Sequence, residues 1–101
     1  MVFRALFSGT TRLKLAIMSA LHLPPLPDHP AGPRPGRYRH YKGNPYLVLS
    51  VARNSETMEE LVVYRMLYGD FSLWVRPRGM FMETVEINGQ TQPRFAYVGP
   101  A

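Results

Sequence analysis

Two kinds of hydrophobic spacing divide this chain. Near the N-terminus, Leu13, Ala16, Ile17, Ala20 and Leu21 recur at i, i+3, i+4, i+7 and i+8, which predicts a helix with one apolar face. Thr10 or Thr11 would cap its start and Pro24 would stop it. From Tyr38 onwards that period is gone. Short runs rich in Val, Leu and aromatic residues alternate with turn residues, a pattern that predicts strands. They fall at Tyr38–Tyr41, Tyr46–Arg53, Leu61–Tyr68, Phe71–Arg76, Met80–Ile87 and Gln92–Val98. Gly43-Asn44-Pro45 marks a turn, and Pro77–Gly79 breaks a strand. Gly69-Asp70 suits a Gly-first hairpin turn, and Asn88-Gly89 is the strongest hairpin signal in the chain. Between Asn54 and Glu60, Thr57 and Glu60 have the spacing of a capping box, which predicts a single helical turn.

Between the two patterns, residues 23–35 hold Pro24, Pro25, Pro27, Pro30, Pro33 and Pro35. Proline fixes φ and removes backbone donors, so an extended, semi-rigid spacer is expected. Pro24 and Pro27 have PxxP spacing, but the spacer reading is simpler. The chain therefore divides into a leader (1–22), a proline-rich linker (23–35), a body (36–98) and a short tail (99–101). The expected fold is all-β. It is a small SH3-like barrel of five or six short antiparallel strands with a flexible N-terminal extension. Closure into a barrel would remove exposed edges.

Composition changes this picture in three ways. Residues 1–35 carry four basic residues and one acid, against eight basic and six acidic residues in 36–98. The surplus charge thus lies largely in the leader and linker, and the body is not strongly basic, which weakens a nucleic-acid reading. There is no cysteine, so disulfides and thiolate metal sites are excluded. A small body without staples must rest on its core, and large rings bury the most area per residue. No apolar run approaches the roughly 20 residues that a membrane span needs. The apolar stretch Leu15–Leu21 is short for a signal peptide, with Arg12 and Lys14 falling late, so a cytoplasmic location is expected.

The motifs of the body are Tyr38-Arg39-His40-Tyr41-Lys42-Gly43, Ser55-Glu56-Thr57, Val62-Val63-Tyr64-Arg65, Leu67-Tyr68-Gly69-Asp70, Trp74-Val75-Arg76-Pro77, Met80-Phe81 and Pro93-Arg94-Phe95. In this order and spacing, residues 36–95 resemble the bacterial family known as domain of unknown function 1653. The resemblance implies an SH3-like fold and brings no activity with it. One departure is visible: Asn54 stands before Ser-Glu-Thr, where many members carry His.

Chemistry must therefore come from the residues. No nucleophile elbow, P-loop or zincin helix is present, so no catalytic residues are assigned and the chain is not read as an enzyme. His22, His29 and His40 lack metal-ligand spacing, and no cofactor is implied. What remains is a set of cations and rings. Arg39, Lys42, Glu56, Arg65 and Arg76 are charges embedded in strand-rich sequence, and several are expected to cluster at one rim. Glu56 would pair with Arg76 or Arg39. The candidate ligand-binding residues are Arg39, Tyr41, Lys42, Glu56, Tyr68, Trp74 and Arg76. Trp, Tyr and Arg are the usual anchors of protein interfaces. Core packing is the plainer explanation for the rings, more so for Trp74 than for Tyr68. A non-catalytic binding or accessory module for a protein partner is the expected function. A nucleic-acid, nucleotide or other anionic-ligand module is the alternative.

Overall fold

The computed structural model describes residues 23–101. The expected leader helix lies outside the described residues. Seven strands form, in order β1 (Gly36–His40), β2 (Pro45–Arg53), β3 (Glu60–Met66), β4 (Leu73–Pro77), β5 (Thr84–Ile87), β6 (Gln90–Pro93) and β7 (Phe95–Gly99). A four-residue helix, α1 (Arg78–Phe81), follows β4. The described part is thus mostly β, as its alternating pattern requires. All pairings are antiparallel: a five-stranded sheet in the order β4-β3-β2-β1-β7 and the hairpin β5-β6. The ladder does not close among the described residues, since β4 and β7 end the sheet without pairing to each other.

Register decides which side chains meet. Tyr38 lies opposite both Tyr46 and Tyr97, Val48 opposite Tyr64, and Tyr64 opposite Trp74. Because side chains alternate across a strand, these residues share the concave face. Arg39, Leu47, Arg65, Leu73 and Val75 share the other face. Two bulges curve the sheet: Leu49 is skipped between β2 and β3, and Val98 between β1 and β7.

The core is small and aromatic: Tyr38, Val48, Val62, Tyr64, Phe81 and Phe95. Phe81 arrives from α1, is 2% exposed, and stacks parallel on Phe95 at 4.2 Å. Tyr38 and Tyr64 pack against it, at 5.7 Å and 5.6 Å between ring centroids. The strand expected over Met80–Ile87 is therefore corrected. Its first residues form a helical turn, because only a change of backbone direction carries Phe81 back into the concave face. The strand expected over Gln92–Val98 is likewise divided at Arg94, whose N–H bonds the carbonyl of Glu83 at 2.9 Å. That division, which makes β6 and β7 separate strands, raises the count from the expected five or six to seven.

Asn88 and Gly89 form the expected two-residue turn, with φ of 52° and 77° as such a hairpin requires. Gly69 also has positive φ, and the Phe71 N–H closes the turn on the Tyr68 carbonyl at 3.1 Å. The capping box does not form. Asn54 Oδ1 instead accepts the N–H groups of Glu56 and Thr57, and Glu60 opens β3. An Asx-type turn thus satisfies the donors that a helix would have left open.

The proline-rich stretch makes specific contacts. The guanidinium of Arg78 donates to the carbonyls of Gly32 and Ala31, and His29 and Glu60 share a 2.6 Å hydrogen bond. Tyr38 donates to the Arg34 carbonyl at 2.8 Å, and Arg34 lies 3.4 Å over the Tyr97 ring. Among the described residues, no helix is long and apolar enough to cross a membrane.

Candidate functional site

Three adjacent strands build a cleft at one end of the concave face. Tyr46 comes from β2, Tyr64 and Met66 from β3, and Trp74 and Arg76 from β4, while Tyr68 reaches in from the β3–β4 loop. They line a cavity of about 210 Å³. The placement follows from period-two alternation: Tyr46 faces Met66, and Tyr64 faces Trp74 across the ladder.

Within the cleft the polar groups are few and fixed. The hydroxyls of Tyr46 and Tyr68 share a 2.6 Å hydrogen bond. Burial, together with that bond, pushes the Tyr46 phenol up to about 12. Trp74 donates its indole N–H to Ser72 Oγ at 2.8 Å, yet its ring is 53% exposed. Arg76 donates to the Tyr64 hydroxyl at 3.4 Å and lies 5.6 Å from the centre of the Phe95 ring. No carboxylate pairs with Arg76 among the described residues, where Glu83 pairs with Arg94 and Glu60 is hydrogen-bonded to His29. A half-buried guanidinium without a counter-ion keeps donor capacity for an incoming acceptor.

Of the seven residues singled out from the sequence, Tyr68, Trp74 and Arg76 meet in this cleft. Core packing was expected more of Trp74 than of Tyr68, and Trp74 is not in the core; Phe81 and Phe95 fill that volume instead. Tyr41 and Lys42 form a neighbouring group. The Tyr41 ring lies 4.5 Å from His40, and Lys42 Nζ lies 5.8 Å from the centre of the Tyr41 ring. His40 is held below its ordinary value by burial and then by the cations Arg94, Arg76 and Lys42, so it lies within the electrostatic reach of the cleft.

Arg39 and Glu56 are not part of the site. Arg39 is exposed on the opposite face of β1, since Tyr38 and His40 take the concave side. Glu56 is exposed in the β2–β3 loop. That loop begins beyond Arg53, at the end of β2 away from Tyr46, and no hydrogen bond or ion pair joins Glu56 to the cleft residues among the described residues. The expected ion pair of Glu56 with Arg76 or Arg39 is therefore absent among the described residues. Arg65 also faces away, donating to the Phe71 carbonyl at 2.8 Å. The single cationic rim expected from these charges is not assembled. Tyr46 and Met66 were not singled out as site residues, although their place opposite Tyr38 and Tyr46 would have shown it once the register was known.

A profile of the family described as "Protein of unknown function (DUF1653)" matches residues 36–97. The chain belongs to the DUF1653 family. A solved structure, described as a protein belonging to DUF1653 from Bordetella bronchiseptica, is similar to it with a TM-score of 0.64 and 46% identity. The match covers 70% of this chain and 94% of that one. No curated protein matches the chain. The DUF1653 segment contains every residue of the cleft and begins just after the proline-rich stretch.

Proposed function

We propose that this DUF1653 domain is a non-catalytic recognition module, and that its concave cleft takes a peptide segment of a protein partner. The segment would present an aromatic or aliphatic side chain to Tyr68 and Trp74 and a carboxylate to Arg76. One observation carries this reading: a half-exposed Trp and a guanidinium without a carboxylate partner among the described residues line the same small aromatic cleft. Trp, Tyr and Arg in such settings are the residues from which interface hot spots are built. A cleft of this size suits one or two side chains better than a whole cofactor, whose pockets are roughly 300–1,000 Å³. Nucleic acid fits less well. Phosphate tracking needs several cations in line, and Arg39 and Arg65 lie on the other face.

The test is selection of a random dodecapeptide phage library on the immobilised chain, with Trp74→Ala and Arg76→Gln as parallel targets. Enrichment of acidic, apolar peptides that lose binding to both variants supports the proposal. Peptides that bind all three proteins alike, or no enrichment from a folded chain, would overturn it. Salt-sensitive amide shifts at Trp74–Arg76 on adding mixed oligonucleotides would replace it with the nucleic-acid reading.

A further inference from the structure

The outer edge of β4 is built for pairing. β4 ends the five-stranded sheet, and its ladder to β3 fixes which of its backbone groups are free. The Met66 N–H bonds the Ser72 carbonyl at 3.0 Å, and Met66 precedes the Arg65–Leu73 position in register. In an antiparallel ladder, hydrogen-bonded and non-bonded pairs alternate. Trp74 and Arg76 therefore direct their N–H and C=O groups at β3, while Leu73 and Val75 direct theirs away from the sheet. The side chains around these free groups are apolar and open: Leu73 is 61% exposed and Val75 58% exposed.

Exposed edges are ordinarily blunted by lysine, proline or a bulge. The other edge, β7, has a bulge at Val98 and is followed by Pro100. β4 has neither a bulge nor a lysine, and its proline comes only at the end, at Pro77.

We infer that β4 pairs antiparallel with β4 of a second copy of this chain, with Leu73 opposite the second copy's Val75. The register follows from the donors. A two-fold pairing can place Leu73 on Leu73, Val75 on Val75, or Leu73 on Val75. The first would bring Val75 opposite Phe71, whose N–H is already bonded to the Tyr68 carbonyl and whose φ is 56°. The second would bring Leu73 opposite Pro77, which has no N–H. The third uses both free residues of both copies, and each such pair exchanges both N–H···O bonds. It also sets no like charges opposite each other, since Arg76 meets the second copy's Ser72.

The pairing joins the two sites. Trp74 lies on the two-fold axis in a narrow, non-bonded pair, where cross-strand side chains approach most closely. The two indoles then stand side by side on the concave face, and each cleft gains the other copy's Trp74 as a wall. This inference rests on the edge of β4 and not on the peptide reading.

The experiment is sedimentation equilibrium of the full chain, beside Val75→Lys, Trp74→Cys and Leu73→Cys. The chain has no cysteine, so each cysteine variant carries a single thiol. A dimer whose dissociation constant rises at least tenfold in Val75→Lys is expected. Trp74→Cys is expected to form a disulfide-linked dimer on mild oxidation, because residues of a non-bonded pair have Cα atoms about 4.5 Å apart, within disulfide reach. Leu73→Cys is not, because its thiol faces Val75 and the matching cysteine is diagonal, roughly 7–8 Å away. A folded chain that stays monomeric overturns the inference. So does a dimer indifferent to Val75→Lys, or equal cross-linking of the two cysteine variants. Circular dichroism of each variant separates loss of pairing from loss of fold.

Discussion

Phe81→Ala tests whether the short helix after β4 is part of the core or an ornament on it. Phe81 is 2% exposed, lies flat on Phe95 at 4.2 Å, meets Tyr38 edge-on and meets Tyr64 at a tilt. Removing a ring from such a site costs about 3–5 kcal/mol, transfer and cavity together. The body is one small domain, for which a total stability of about 3–10 kcal/mol is ordinary. Phe81→Ala should therefore leave the domain near its unfolding threshold. Phe81→Leu keeps most of the volume and should cost roughly 2 kcal/mol, from about three buried carbons at about 0.8 kcal/mol each. Urea denaturation followed by far-UV circular dichroism measures both. Trp74 is too exposed to serve as the sole reporter. A loss below about 1 kcal/mol for Phe81→Ala would mean that the concave face closes without α1, and would refute a core centred on Phe81.

The remaining expectations concern backbone and titration. Gly36 has φ of +140°, and a Cβ there would lie 2.8 Å from both the Gly99 carbonyl oxygen and the Tyr97 ring. Gly36→Ala should cost about 1–3 kcal/mol, while Gly79→Ala in α1, where a Cβ meets nothing within 4 Å, should be neutral or stabilising; equal effects in thermal melts would refute the contrast. His40 is held low by burial and then by Arg94, Arg76 and Lys42, so the unfolded chain binds its proton first as pH falls. Its contribution to stability is full above the unfolded value of 6.5 and is lost as pH drops from there to the lowered folded value. The difference between the native chain and His40→Gln in urea midpoint should shrink across that window, and a difference growing towards acid would sink the assignment. Tyr46 is raised to about 12 by burial and by its bond with Tyr68, so its stabilisation is present below pH 10 and lost as pH rises towards 12. Tyr46→Phe should remove the latest-titrating part of the phenolate absorbance; an unchanged titration curve would place the raised group elsewhere.

The strands were legible because a half-buried sheet imposes period two, and Tyr46–Arg53 and Leu61–Tyr68 carry it with β-branched and aromatic residues. Asn88-Gly89 was legible because few residues accept positive φ at two successive positions. Met80-Phe81-Met82 was not, since a short apolar run has no period that separates strand from helix. The site was half legible for a related reason. Arg39 and Arg76 are both strand cations flanked by rings, and nothing local says which faces the concave side. That choice is made by the Tyr38–Tyr46 and Val62–Arg76 register, a non-local property. Glu56 was misplaced because closeness in a small domain was inferred from size, whereas its loop leaves it exposed to solvent.

Core and cleft are two results of one arrangement. A single Trp in a small domain is ordinarily the first candidate for its centre. Here the chain turns after Pro77 and sends Phe81 into that volume, against Phe95. Trp74, on the edge strand, is left at the rim with its indole N–H bound to Ser72 and its ring half open. Tyr64 connects the two regions. Its ring packs on Phe81 at 5.6 Å and on Phe95 at 5.9 Å, and its hydroxyl accepts from Arg76 at 3.4 Å. The guanidinium is thus positioned by a residue that the core itself holds rigid, which is how a binding group is kept preorganised. On the proposed reading, the half-exposed Trp and an arginine without a carboxylate partner among the described residues are the groups that this well-packed ring presents to a peptide.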